Sequence, residues 1–223
     1  MTPGTERPTP VRRDARRNRE LLLAAARKAF AAQGLDAPLD EIARRAGVGN
    51  ATLYRHFPTR AALIDAVFQD ALQGTIAAGE EARGATDAWE GLAHYLEAVF
   101  TVLAADRGIN DLMTTPVEGV TSLDAVHVHN HQTMALLVDR AQRDGAMRSD
   151  VTVEDLLMSL ATLGRSAPSL EAVGPPHAWR RQLALFLDGL RAETRPTSAL
   201  PAPSLTAEQL AAILLDLGPH RST

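Results

Sequence analysis

Apolar side chains recur every three or four residues along most of the chain, which is the spacing of one helix face. The first run places Leu22, Ala26, Ala29 and Phe30 on one side, and Gly34 follows as a helix stop. The same spacing predicts further helices near 38–46, 50–57, 60–82, 87–105, 107–114, 121–145, 152–168 and 175–193. No segment alternates convincingly between apolar and polar residues. The pattern therefore predicts an all-α protein.

The two ends of the chain differ from this helical part. Residues 1–11 contain three prolines and no periodicity, which predicts a disordered arm. Residues 194–205 also contain three prolines and predict a linker. Thr206 and Gln209 predict a capping box that begins an amphipathic helix over 206–217. So short a helix forms where its apolar stripe is buried, so we expect it to dock on the rest of the protein. The alternative is a disordered tail.

The composition limits the classes of protein to which the chain can belong. It has 223 residues and no cysteine, which excludes disulfides, zinc ribbons and thiol catalysis. No apolar stretch approaches the ~18 residues that span a membrane. The arginines near the N-terminus are not followed by an apolar run of the signal-peptide type. We therefore expect a cytoplasmic protein with no membrane partner.

Charge is distributed unevenly between the two parts of the chain. The net charge of −4 by itself argues against a nucleic-acid partner. Residues 1–60, however, hold 12 Lys and Arg against 6 Asp and Glu, whereas residues 61–223 hold 11 against 21. A basic head on an acidic body indicates that only the head meets a polyanion. A merely solvated charged face is the alternative.

The most informative segment runs from Leu39 to Leu63 and reads LDEIARRAGVGNATLYRHFPTRAAL. It predicts two short helices joined by a glycine turn. Leu53 and Phe57 are four residues apart, so both face inward and hold the second helix in place. The second helix then presents hydroxyls, an amide, an imidazole and a guanidinium, but no acid. Such a surface suits phosphates and base edges.

This segment resembles the DNA-binding domain of the tetracycline-repressor (TetR) family, whose signature is TLY-x-HF followed by a basic residue and AL. The resemblance covers roughly residues 16–70. The residues that carry it are Leu39, Asp40, Ile42, Ala43, Ala46, Gly47, Val48, Thr52, Leu53, Tyr54, His56, Phe57, Arg60 and Leu63. The sequence departs from the family pattern at three positions, which are Pro38, Gly49 and Arg60. A weaker resemblance links AQRDGAMRSDVTVEDL to the turn before the dimerising helices of an actinobacterial subgroup.

The resemblance implies a division of the chain and a function. It implies a three-helix helix-turn-helix head over 12–58 and a helical body over 59–193 that binds an effector and dimerises. Residues 1–11 remain the arm, and 194–223 form the linker and the short C-terminal helix. The implied function is that of a ligand-responsive repressor that binds a pseudo-palindromic operator as a homodimer. Its partners would be double-stranded DNA and an unknown small-molecule effector.

The candidate DNA-binding residues follow from the outward face of the second helix and from the same resemblance, the former alone supplying Arg55. They are Asn50, Thr52, Tyr54, Arg55, His56 and Arg60, with Asn50 and Tyr54 at base or backbone positions and Thr52, Tyr54, His56 and Arg60 at phosphate positions. Tyr54 and His56 could instead be structural residues of the head. The arginines over 12–19 could reach along the DNA or merely keep a helix start soluble.

The body is expected to contain both a dimer interface and an effector pocket. The predicted interface lies on the helices near 152–168 and 175–193, through Leu156, Leu157, Leu160, Leu163, Leu183, Phe186, Leu187 and Leu190. A mainly apolar effector is expected, with its pocket formed by His94, Leu96, Phe100, Met113, His131, Met134 and Met158, together with Leu92, Leu103 and Leu137. The alternative is that these side chains form a solid core.

The run His127-Val128-His129-Asn130-His131 invites a metal interpretation, because His127 and His131 are four residues apart on a helix. The spacing fixes no third ligand, so we expect ordinary polar residues there and no metal or cofactor. Enzyme motifs are missing as well: there is no Gly-rich phosphate loop and no G-x-S-x-G elbow. Two alternatives to a DNA-binding regulator remain, namely a ligand carrier that does not bind DNA and a metal-dependent hydrolase built on the two histidines.

Overall fold

The computed structural model describes residues 10–115, 117–192 and 204–217, and gives side-chain positions from Arg13 to Ile213 within those ranges. This part of the chain is helical and has no strand, which confirms the all-α prediction. None of its helices combines the length and the apolar character needed to cross a membrane. In chain order the helices are α1 (Pro10–Gln33), α2 (Leu39–Arg45), α3 (Asn50–His56), α4 (Arg60–Arg83), α5 (Ala88–Ala105), α6 (Arg107–Thr114), α7 (Thr121–Arg143), α8 (Val153–Val173), α9 (Trp179–Leu190) and α10 (Ala207–Leu217).

The first helix begins earlier than the sequence predicted. The predicted arm was expected to extend to residue 11, but α1 begins at Pro10. Proline suits the first turn of a helix, where its missing N–H is not needed. The remainder of the predicted arm, 1–9, and most of the predicted linker lie outside the described residues.

Helix α8 continues past the proline at which the sequence predicted its end. Pro168 lies inside α8, which ends at Val173. Proline has no N–H to donate to the carbonyl four residues earlier, here that of Gly164. The side-chain amide of Asn110, which is fully buried on α6, donates to that carbonyl at 2.7 Å. A tertiary hydrogen bond thus replaces the missing helical one, and sequence periodicity alone cannot reveal it.

Two apolar cores stabilise the fold, and the first one extends beyond the predicted head. It joins α1, α2 and α3 to Ile64 and Phe68 of α4, to Leu112 of α6 and to Leu123 of α7. The second core lies among α5, α7, α8 and α9. The helix-turn-helix is therefore held by the beginning of α4 and by the body, and not only by itself.

Helices α8 and α9 use much of their apolar surface within the subunit. Of the predicted interface residues, Leu156, Leu160, Leu183 and Leu190 are buried in the second core. Leu163, Phe186 and Leu187 are only half-buried there, and Leu185 is 57% exposed. The apolar surface left for a partner therefore includes residue 185 and not the four leucines that the subunit buries.

The C-terminal helix docks on the body, as its apolar stripe led us to expect. Thr206 and Gln209 form the expected reciprocal pair of bonds, from Thr206 N–H to Gln209 Oε1 at 3.0 Å and from Gln209 N–H to Thr206 Oγ1 at 3.2 Å. Helix α10 contacts α8, and Leu210 is 6% exposed. Docking therefore buries at least the first residue of the stripe.

Candidate nucleic-acid interface and ligand cavity

Helix α3 is held by two apolar side chains and leaves a polar face outside. Leu53 and Phe57 are 1% and 3% exposed, respectively. Tyr54 is 52% exposed, Asn50 and Arg55 are exposed, and Thr52 is half-buried. About half of the Tyr54 side chain is exposed, so its hydroxyl end is available to a partner. The outward residues of α3 can thus form hydrogen bonds with DNA without any rearrangement of the core.

Two of the predicted phosphate contacts lie in more protected positions. Both bonds of Arg60 Nη1 go to backbone carbonyls of the α1–α2 loop, at 2.7 Å to Leu35 and 2.8 Å to Ala37. Arg60 is therefore directed toward the loop and has a structural role that sequence reasoning missed. His56 is half-buried, and its Nε2 atom is buried without a hydrogen-bond partner in the described chain.

One arginine of α1 lies beside α3, and further arginines are exposed on the same helix. The guanidinium of Arg19 lies 5.3 Å from the ring centroid of Phe57, which directly follows α3. Arg13, Arg16 and Arg17 are exposed on the same helix. The side chain of Arg12, also named among the predicted basic residues, lies outside the described side chains. The charge split found in the sequence thus corresponds to exposed cations on the helix that supports α3.

Helix α6 connects this head to the body through two of its buried polar residues, Asn110 and Asp111. Asn110 donates from Nδ2 to the carbonyl of Leu103 on α5 at 3.0 Å, besides its bond to Gly164 on α8. Asp111 accepts a hydrogen bond through Oδ2 from the backbone N–H of Leu35, just after α1, at 3.3 Å. At Gly108, a Cβ atom would lie 2.8 Å from Phe30 Cβ, so α6 and α1 pack too closely for a larger residue. Consecutive residues of α6 therefore bind the body and the head.

A cavity of about 550 Å³ lies beside the C-terminal end of α6. Its lining comes from α5, α6, the loop after α6, α7, α8 and α10, and it opens to solvent. The residues that line it are Val99, Leu103, Met113, Thr114, Thr115, Val117, Glu118, Leu123, Asp124, His127, Asn130, His131, Met134, Leu157, Leu160, Ala161, Leu210 and Ala211. Most of these side chains are apolar, as in a typical small-molecule site.

This cavity is lined by three of the predicted pocket residues, Met113, His131 and Met134, and also by Leu103. Leu96 and Phe100 are buried in the second core, where Phe100 stacks on Trp179 at 6.0 Å. His94 is exposed, and Met158 is half-buried outside the cavity lining. Helix periodicity identified inward faces, but it could not tell which part of a broad inward face meets a cavity and which meets a neighbouring helix. Leu92 and Leu137 likewise belong to the solid core.

The polar groups of the cavity come mainly from one side of α7. The hydroxyl of Tyr95 donates to Asn130 Oδ1 at 2.5 Å, and burial raises the pKa of Tyr95 so that the phenol stays protonated. Partial burial lowers the pKa of His127, against the opposing effects of the Asp124 carboxylate and the Met113 carbonyl. Asp124 and Asn130 were missed by sequence reasoning, although Asn130 lies within the histidine run that attracted attention.

The histidine run divides between the cavity and α4. His127 and His131 line the cavity, whereas His129 contacts α4, where Arg83 Nη2 donates to its backbone carbonyl at 3.2 Å. Within the described ranges, no three His, Asp or Glu side chains come close enough together to hold a metal ion. The pair at 127 and 131 thus contributes polar atoms to a largely apolar chamber.

Two sequence profiles match separate parts of the chain. Residues 22–67 match the bacterial regulatory proteins of the tetR family, and residues 87–192 match the C-terminal domain of SbtR-like transcriptional regulators. Among curated protein sequences, none matches this chain significantly. The first match covers α3 and the second covers most of the cavity.

Solved structures add closer relatives. A TetR transcription regulatory protein from Mycobacterium vanbaalenii is 34% identical, and the match covers 82% of this chain and 99% of that one, with a TM-score of 0.47. The TetR regulator SCO0520 from Streptomyces coelicolor is 30% identical over 79% and 99% of the two chains, with a TM-score of 0.49. The MbdR regulator from Azoarcus sp. CIB shares the fold, with 17% identity over 78% and 98% of the chains and a TM-score of 0.62. On the two profiles and the sequence identity to its relatives, this chain belongs to the TetR family of transcriptional regulators.

Proposed function

We propose that this protein is a ligand-responsive transcriptional repressor, not an enzyme, which binds a pseudo-palindromic operator as a homodimer in the cytoplasm. The observation that carries the proposal is the outward polar face of α3, on which Asn50, Tyr54 and Arg55 are exposed, with Arg19 of α1 beside its C-terminal end. A helix-turn-helix inserts its second helix into the major groove, where amides, hydroxyls and guanidinium groups bind base edges and phosphates.

A pseudo-palindromic operator requires a dimer whose two subunits are related by a twofold axis. Two recognition helices must meet half-sites about one turn, ~34–36 Å, apart or a multiple of that distance. The apolar surface that α8 and α9 leave uncovered, which includes Leu185, Leu163 and Phe186, supports an interface on those helices. A monomer in sedimentation experiments at micromolar concentration would contradict this part of the proposal.

Ligand response is supported by the position of the cavity. Met113, Thr114 and Thr115 line it, while Asp111, less than one helical turn away, contacts the α1–α2 loop of the head. A ligand that binds better to one arrangement of α6 shifts the two heads toward that arrangement, and a coupling of about 1–3 kcal/mol is typical.

Selection of bound duplexes from a random DNA pool tests the proposal most directly. We expect enrichment of a palindrome, and Tyr54→Ala to weaken binding to it by ~1–3 kcal/mol without changing nonspecific binding to the same extent. Arg143→Ala, at an exposed arginine of α7 away from α3 and from the proposed interface, is the control and is expected to retain operator affinity. No enriched sequence, or full operator affinity in Tyr54→Ala, would refute the assignment of α3.

A further inference from the structure

The cavity has a charge pattern that restricts what it can bind. Two carboxylates, those of Glu118 and Asp124, line it, and the described lining residues include no Lys or Arg. Both carboxylates are exposed, so they lie where the cavity meets solvent, whereas Leu103, Met134 and Leu160 are buried. Negative charge at the opening of an apolar chamber attracts cations and repels anions.

We infer that the effector is an apolar molecule that carries a positive charge, such as a lipophilic amine or onium ion. This inference rests on the proposed ligand response and names the chemical class of ligand. The apolar body would fill the space among Leu103, Met134 and Leu160, and the cationic group would lie toward Glu118 and Asp124.

The histidines do not cancel this negative charge. Desolvation lowers the pKa of His127, which favours its neutral form, so it does little to offset Asp124 one helical turn away. His131 Nε2 lies 3.9 Å from Glu154 Oε1, which is a further carboxylate near the cavity. A carboxylate-bearing ligand, such as a fatty acid, would therefore meet like charges and no fixed cation.

A second observation is that the cavity offers a polar contact besides its carboxylates. Asn130 is more than nine-tenths buried and lines the cavity, and its oxygen already accepts the Tyr95 hydroxyl. Its amide nitrogen makes no hydrogen bond among the described residues, and it is not one of the fully buried atoms left without a partner. The amide N–H groups can therefore donate to a ligand or to water in the cavity.

Tetraphenylphosphonium and tetraphenylborate, which match in size and shape and differ in the sign of their charge, provide the test. Isothermal titration calorimetry on the full chain is expected to show about tenfold tighter binding of the phosphonium, because the two exposed carboxylates attract the cation and repel the borate anion. The double variant Glu118→Gln/Asp124→Asn is expected to reduce this preference about tenfold or more. Both side chains are exposed, so the variant is expected to fold.

Asp70→Asn/Glu81→Gln is the matched control, since it removes two exposed carboxylates of α4 that do not line the cavity. It is expected to keep the wild-type preference. The inference would be overturned if the borate bound equally well or more tightly. It would also be overturned if the control variant lost the preference to the same extent, or if neither ion bound.

Operator binding by the same preparations separates the two proposals. A protein that binds its operator but prefers borate refutes only the charge inference, whereas phosphonium binding without an enriched operator refutes only the proposed function.

Discussion

The carboxylate of Asp111 accepts a hydrogen bond from the backbone N–H of Leu35, which links the body helix α6 to the turn that follows α1. Asp111 is only 1% exposed, and the turn is held in place by Gly34 at φ +77°. A Cβ atom at Gly34 would lie 2.4 Å from Asp111 Oδ2, so backbone and carboxylate are in direct contact. A displacement of α6 therefore reaches the start of the helix-turn-helix without any intermediate side chain.

Gly34→Ala is expected to lower the free energy of unfolding by more than the cost of placing alanine at a positive φ. Gly145 has φ +69° and nothing within 4 Å of its added Cβ, so Gly145→Ala isolates the cost of the backbone conformation, about 1 kcal/mol. Gly34→Ala has that cost and the collision with Asp111. Urea denaturation of both variants measures the difference, and equal losses of stability would show that the Asp111 contact is loose.

Asp111→Ala is expected to weaken the connection between cavity and head. It leaves the Leu35 N–H without this acceptor, at a cost of ~1–3 kcal/mol in the free energy of unfolding. Because the bond joins α6 to the head, any ligand-induced change in operator affinity should shrink as well. Fluorescence anisotropy of labelled operator, with and without tetraphenylphosphonium, gives that change. A variant that loses stability but retains the full ligand effect would show that another contact transmits the signal.

Asn110 and Pro168 are expected to be coupled through the carbonyl of Gly164. Asn110→Leu leaves the carbonyls of Gly164 and Leu103 unpaired and should cost ~1–3 kcal/mol for each. Pro168→Ala restores a backbone N–H that can donate to Gly164. The double variant should therefore lose less stability than Asn110→Leu alone. A double-mutant cycle by urea denaturation checks this, and strict additivity would contradict the proposed compensation.

Alanine substitution is expected to affect DNA binding at Arg55 and stability at Arg60. Arg55→Ala removes an exposed cation beside the recognition surface, so binding should weaken on all sequences and the salt slope should fall by about 1. Arg60→Ala removes the donor to the Leu35 and Ala37 carbonyls and should lower the melting temperature with little effect on the salt slope. Binding curves at several salt concentrations distinguish the two. A reduced salt slope in Arg60→Ala would instead support the phosphate contact that the family pattern implies for Arg60.

Local signals in the sequence predicted the helices well because they act over a few residues. Thr59 caps α4 by accepting from the Ala62 N–H at 3.0 Å, and Thr152 with Asp155 forms the capping box of α8. The sequence could not show which distant residue each inward-facing side chain would contact. Phe100 packs on Trp179 instead of lining the cavity, and this partner is 79 positions away in the chain. Arg60 likewise binds carbonyls that no local pattern relates to it.

Removal of the C-terminal helix is expected to open the cavity. Leu210 and Ala211 line it, and Leu210 is 6% exposed, so deletion of 196–223 exposes apolar lining to water. The melting temperature should fall by a few degrees, since each ~1 kcal/mol shifts a protein of this size by roughly 2–4 °C. Bound tetraphenylphosphonium should also dissociate faster, because one wall of the chamber is missing. Leu210→Ala should reproduce part of both effects, whereas Glu208→Ala, at an exposed position of the same helix, should reproduce neither. If the deletion leaves both the melting temperature and the dissociation rate unchanged, α10 does not close the cavity in solution.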